Sequence, residues 1–122
     1  MDHSVEQHFE GKSPHVRSTY DTIVAASRSF GPVEEDPKKT SIHLNRKSAF
    51  AGIQTRREFL ILTIKSNGDI DSPRISKREH TSAHRWYHEV KIVSCDDIDS
   101  QIVGWLRDST YCQINSRGGQ KC

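Results

Sequence analysis

The hydrophobic period of this chain changes once, and that change limits what it can fold into. Before Gly31-Pro32, the residues Val16, Tyr20, Ile23, Val24 and Ser27 recur at helical spacing and lay one apolar stripe along a helix from Pro14 to about Ser29. Ser13-Pro14 opens it, with proline in the first turn where a missing N–H costs nothing, and Phe30-Gly31-Pro32 stops it. Beyond the charged, proline-marked connection from Glu34 to Lys39, apolar residues alternate instead. Ile42 and Leu44 against Ser41, His43 and Asn45 describe a half-buried strand.

The alternation continues. Phe50, Gly52 and Gln54 are expected on one face of the next strand and Ala51 and Ile53 on the other, with Arg56-Arg57 as the hairpin turn. Phe59 to Ile64 is the most apolar run and suits a central strand. Ser66-Asn67-Gly68-Asp69 signals a turn. Asp71 to Ala83 is polar, and only Arg74 to Lys77 reads as a brief edge strand. Trp86, His88, Val90 and Ile92 then alternate with Tyr87, Glu89, Lys91 and Val93 as a last strand.

Both ends carry helix signals. Ser4-Val5-Glu6-Gln7 has the form of a capping box ahead of a short helix from Val5 to Glu10, stopped by Gly11. Ser94-Cys95-Asp96-Asp97 has the same form ahead of a terminal helix, whose stripe is Ile98, Ile102, Trp105 and Leu106. The expected fold is α+β: an antiparallel sheet of three to five strands, with N-terminal helices and a C-terminal helix packed on one face. Residues 1–112 form one domain in this reading and residues 113–122 a flexible tail. Only 33% of the 122 residues are hydrophobic, which suits a sheet wet on its other face. No apolar run is long enough for a membrane helix and the polar N-terminus is no secretory signal, so a cytoplasmic protein with no membrane partner is expected.

A net charge of +2 conceals a strong asymmetry. Met1 to Pro37 holds 3 basic and 7 acidic residues, Lys38 to Lys91 holds 12 and 5, and Ile92 to Cys122 holds 3 and 4. The basic middle coincides with the strands. A sheet face presenting arginine and lysine beside Trp86, Tyr87 and His43 could hold phosphates and stack bases, or hold a small carboxylate or phosphate with Arg85 as a bidentate donor. Solvated charge that keeps strand edges apart explains the same residues.

The remaining constellations are thin. Cys95, Cys112 and Cys122 form no CxxC pair, and three cysteines without a secretory signal argue against a disulfide scaffold. His80, His84 and His88 recur every four residues, but on a strand that spacing is about 13 Å, too far to share a metal. No nucleophile elbow, P-loop or dinucleotide fingerprint is present. Neither a metal nor a cofactor is expected.

In order, "HFEGK" (His8 to Lys12), "YD" at Tyr20, "GPV" at Gly31, "KTSIHL" at Lys39, "AFAGI" at Ala49, "RWYHEVKI" at Arg85 and "DDIDSQIVGWL" at Asp96 resemble the bacterial domain of unknown function 5655 family, over roughly Val5 to Tyr111. The resemblance implies a compact α+β module and leaves the activity open. It carries over to His8, Phe9, Gly11, Lys12, Tyr20, Lys39, Phe50, Arg57, Arg74, Trp86, His88, Asp99 and Trp105. Tyr20, Phe50 and Trp105 suit core anchors, and Asp99 suits the start of the last helix. Lys12, Lys39, Arg57, Arg74, Arg85, Trp86 and His88 are therefore the candidate ligand-binding residues, and no catalytic residue is assigned.

The leading expectation is a binding module for an anionic partner, with nucleic acid first and a small phosphorylated or carboxylated molecule second. One alternative is an enzyme using His88 as general base with Arg85 and Lys39 holding the anion, which requires the three to converge. Another is a protein-interaction domain, including a homodimer, marked by exposed Trp86 or Trp105.

Overall fold

The computed structural model describes residues 4–115, with side chains through Thr110. The first segment is a single 3-10 turn, Glu6–Phe9, rather than a helix reaching Glu10. Its capping box is reciprocal, with Gln7 N–H donating to Ser4 Oγ at 3.2 Å and Ser4 N–H to Gln7 Oε1 at 3.1 Å. Helix α1 spans Pro14–Arg28 and buries the expected stripe. Six strands follow: β1 Glu34–Pro37, β2 Ile42–Asn45, β3 Ala49–Thr55, β4 Leu60–Ser66, β5 Ile75–Ser82 and β6 Arg85–Ile92. The Ser94 capping box opens a 3-10 turn at Cys95–Asp97, and helix α2, Ser100–Asn115, starts only afterwards. Of the expected tail, residues 116–122 lie outside the described residues.

The fold is α+β with one antiparallel sheet in the order β1-β2-β3-β4-β6-β5, six strands where three to five were expected. Both unexpected lengths of strand are edges made of charged residues. In β1, Glu35 points inward and accepts a hydrogen bond from the Tyr20 hydroxyl at 2.7 Å, while Arg28 stands 3.5 Å away. Burial, and then Glu35, pushes the Tyr20 phenol well above its ordinary pKa, so the hydroxyl stays a donor. An inward carboxylate with a buried partner lets a strand form without an apolar face. In β5 only Ile75 is buried, and two register shifts against β6 bend the edge.

Because β6 pairs antiparallel with both β4 and β5, the latter two run parallel. The chain from 67 to 74 therefore crosses back over β6, on the helix side, where the Ile70 N–H reaches His88.

One sheet face carries the core. Leu60 faces Ile92, Leu62 faces Val90, and Ile53 and Ile42 extend the row toward β1. Val16, Tyr20 and Ile23 of α1, with Ile102 and Leu106 of α2, complete the buried cluster. The alternation read for β6 holds: His88, Val90 and Ile92 are buried and Lys91 is exposed.

On β3 the expectation fails at Phe50. Leu44 pairs with Ala51 but Asn45 pairs with Ala49, so Phe50 is the extra residue of a β-bulge. The bulge turns Phe50 to the same side as Ala51 and Ile53, and all three are buried.

Two tight spots flank the β2–β3 turn. Lys47 has a φ of 111°, and Gly31 has a φ of 141° with the Arg46 guanidinium packed where a side chain would stand. Replacing Lys47 with glycine should raise stability by about 1 kcal/mol, because glycine adopts that φ without strain. Gly31→Ala should lower stability by about as much, since alanine at a φ of 141° is strained and the Arg46 guanidinium would also have to move aside. Urea denaturation of the two variants checks both signs.

Candidate functional site

The bulge and one glycine leave the uncovered face of β3 almost bare. With Phe50, Ala51 and Ile53 turned to the helices, only Ala49 and Gly52 face outward between Asn45's partner position and Gln54. A cleft of about 430 Å³ opens over this floor, lined by Ser41, His43, Gln54, Thr63, Lys65 and Tyr87 among others. His43 of β2 and Thr63 of β4 stand directly across from Gly52 on either side, and Lys65 pairs with Tyr87 of β6. A smaller recess of about 310 Å³ continues toward the β5 edge past Lys77, Glu79 and Glu89. A separate hollow of about 680 Å³ lies at Pro32–Glu34 and Asn45–Lys47, where Arg46 already donates to the Phe30 carbonyl at 2.8 Å.

The basic middle of the chain does not make a uniformly basic face. Lys38 pairs with Asp36 at 3.0 Å, Arg78 with Asp69 at 2.9 Å and Arg74 with Asp99 at 2.9 Å. Arg56 donates to Gln54 Oε1, and the Lys91 ammonium lies 4.5 Å over the Phe59 ring. Glu79 and Glu89 share the open face, opposite Tyr87 and Lys77.

Lys65 and Arg85 are different. Both are half-buried on the open face beside Tyr87, and neither has an ion pair among the described residues. Burial, and then the Arg85 charge, pulls the Lys65 ammonium below the ordinary lysine value. Lys65 lines the cleft and Arg85 lies beside it outside the lining, and two like charges at the rim of a half-dry groove form a place where an anion would be stabilised.

The candidate residues read from the sequence fall into separate places. Lys12 and Arg57 lie at one end of the sheet, where the N–H of Ser13, next to Lys12, donates to the Arg57 carbonyl, and Lys39 lies in the β1–β2 turn at that same end. Arg85 lies on the open face toward the opposite end. Arg74 is structural: besides its two contacts with Asp99 it donates to the Asp97 carbonyl at 2.6 Å, fastening the start of β5 to the start of α2.

Trp86 faces the helix side, stacked between His80 at 4.0 Å and His88 at 5.9 Å. His88 is fully buried. Its Nε2 lies 3.1 Å from both the Ile70 N–H and Asp69 Oδ1, so one nitrogen serves a donor and an acceptor in turn. Its Nδ1 is buried without a partner among the described residues. Thus His88 and Arg85 sit on opposite faces and Lys39 at the far end, and the constellation for a general base with two anion holders is not assembled. Trp105 packs partly buried against the core.

The sequence sets His43 and Tyr87 on one face together with Trp86, which the structure turns to the other face beside His88, and it does not single out Gly52, Thr63 or Lys65. Its one available signal was a glycine interrupting an otherwise continuous strand. Among the described residues no group of His, Cys, Asp and Glu could hold a metal ion, and no helix is long and apolar enough to cross a membrane.

An α+β module with a helix-covered antiparallel sheet and one open, clefted face is thus the class this chain represents. It belongs to the family described as Domain of unknown function (DUF5655), matched over residues 5–110. No curated protein and no solved structure matches it.

Three peripheral carboxylates fasten edges and connections, and each is held below the usual aspartate range. For Asp36 the largest cause is the hydrogen bond from Lys38, for Asp69 that with His88, and for Asp99 that from Arg74. A folded pKa below the unfolded one means that the unfolded chain binds more protons between the two values. The stabilisation is therefore complete above the unfolded value of about 3.9 and is lost as pH falls through the folded values. Urea melts from neutral pH downward should show level stability until about pH 4 and a decline below it. Asp69→Asn and Asp99→Asn should each be less stable at neutral pH and show a shallower acid decline. An unchanged slope in both would remove these contacts from the account.

Proposed function

We propose that this chain is a binding module that takes a small phosphorylated or carboxylated molecule on its open sheet face, at Lys65 and Arg85. The observation that carries the reading is the juxtaposition of these two half-buried cations without an acidic neighbour within ion-pair distance among the described residues. Elsewhere on the sheet the cations have partners, lie in turns or, like Lys77 across from Glu89, are exposed on the β5 edge. An anion bridging Lys65 and Arg85 would relieve their repulsion and form charge-assisted hydrogen bonds in a partly dry site. Tyr87 adds a ring and a hydroxyl beside them.

A small anion suits this face better than a nucleic-acid strand. A strand needs a continuous positive track, whereas Glu34, Asp36, Glu79 and Glu89 alternate with the cations here. The tryptophan expected to stack bases is occupied by His80 and His88. Binding without catalysis is the simpler reading, since among the described residues no hydrogen bond joins the Ser41 or Thr63 hydroxyl to the His43 imidazole in the cleft.

Titration of the ¹⁵N-labelled protein with inorganic phosphate and with succinate at low ionic strength tests the proposal. Shift changes should centre on Lys65, Arg85 and Tyr87. Lys65→Met and Arg85→Gln should each weaken binding by about tenfold, the worth of one charge-assisted hydrogen bond. The melting temperature of Lys65→Met should match or exceed that of the parent, because a half-buried charge has been removed. Shifts confined to the Lys12, Lys39 and Arg57 end, or affinities unmoved by either variant, would refute the site.

A further inference from the structure

The geometry points to a phosphorylated molecule bearing a flat, hydrogen-bonding ring, of the nucleoside monophosphate type, as what the cleft accepts, with its ring over Gly52 and its phosphate at Lys65 and Arg85. This inference rests on the anion site proposed above and supplies the remainder of the molecule.

Gly52 carries it. Glycine in a strand interior costs roughly 0.5–1 kcal/mol relative to alanine, so its presence calls for a reason. The usual reasons do not apply. Its φ lies outside the left-handed region, and an added Cβ would meet nothing closer than His43 Cδ2 at 3.8 Å, an ordinary contact. Neither backbone conformation nor packing therefore asks for glycine at the centre of this sheet. The remaining reason is the close approach of something the chain itself does not supply. The β-bulge serves the same end, since it turns the Phe50 side chain away from the open face and leaves the peptide surface of β3 as a flat floor.

The walls fit a ring with polar edges. The His43 imidazole and the Thr63 hydroxyl flank Gly52 directly, and neither makes a hydrogen bond among the described residues. Gln54 accepts from Arg56 through its carbonyl oxygen, which leaves its amide N–H groups to donate. Thr63 and Lys65 lie two residues apart on one face of β4, a separation of about 7 Å that a pentose can span between ring and phosphate. A volume of about 430 Å³ is within the range of small-molecule sites. Phosphate or succinate alone would use the Lys65 end and leave the Gly52 floor empty.

Calorimetric or NMR titrations with inorganic phosphate, ribose 5-phosphate and the four ribonucleoside 5′-monophosphates test the inference. At least one nucleotide should bind about tenfold more tightly than ribose 5-phosphate. Gly52→Val should abolish that advantage while leaving phosphate affinity within about twofold of the parent, and its melting temperature should equal or exceed the parent value because valine suits a strand. Gly52→Ala should give an intermediate loss, and Thr63→Val should weaken the nucleotide but not phosphate. The two Gly52 variants and Thr63→Val are independent routes to the same floor. If ribose 5-phosphate binds as well as every nucleotide, or if nucleotide affinity is indifferent to all three substitutions, the ring site is refuted and the anion site stands. If no probe binds, both fall together.

Discussion

A chain with a third of its residues hydrophobic can dry one face of a six-stranded sheet and not two, and the rest of this structure follows from that limit. The row from Ile42 through Ile53 and Leu62 to Val90 runs across four strands, and both helices are set against it. Two polar groups reach into this core and are answered there: Tyr20 by Glu35, and the Nε2 of His88 by the crossover. The crossover is itself fastened by Arg78 on one flank and Arg74 on the other. Charged side chains at the periphery thus hold edges and connections that the small core does not reach.

The same limit leaves the second face to water, where its shape is set by β3. A sheet face usually bristles with alternate side chains, and a cleft there needs an interruption. Here the interruption is double: a bulge that removes one outward side chain and a glycine that offers none. The charges around it are mixed, so the electrostatic character belongs to a point, the Lys65–Arg85 pair, rather than to the surface. Segmental charge counted along the chain could not reveal this, because antiparallel pairing sets Glu79 and Glu89 of the basic segment against Tyr87 and Lys77 of that same segment.

Much of the architecture was legible beforehand. Helix α1, β2, β4 and β6 each bury a face against the common core, so their apolar residues recur with the period of the element. β1 and β5 do not, since an edge strand held by Glu35 or by backbone pairing alone has no need of alternation. The bulge at Phe50 is invisible in sequence, as it arises from a register difference between two strands. The candidate residues fared according to the same logic. Arg74 and His88 had no visible structural role because their partners, Asp99 and Ile70, are distant in sequence or are backbone groups. Lys65 looked like any lysine of a strand until Arg85 was folded beside it.

The reversed order of the last two strands has a consequence for how the molecule assembles. β5 is made before β6, yet it cannot join the sheet until β6 lies between it and β4. The tight turn joining Ser82 to Arg85 allows these two to pair first, as a local hairpin that closes only a short loop. Pairing of β6 with both of its neighbours sets residues 67–74 across its inner face, where they enclose His88. The amides of β4 and β6 should accordingly exchange with solvent as a single cooperative block, while the outer edge of β5 opens on its own.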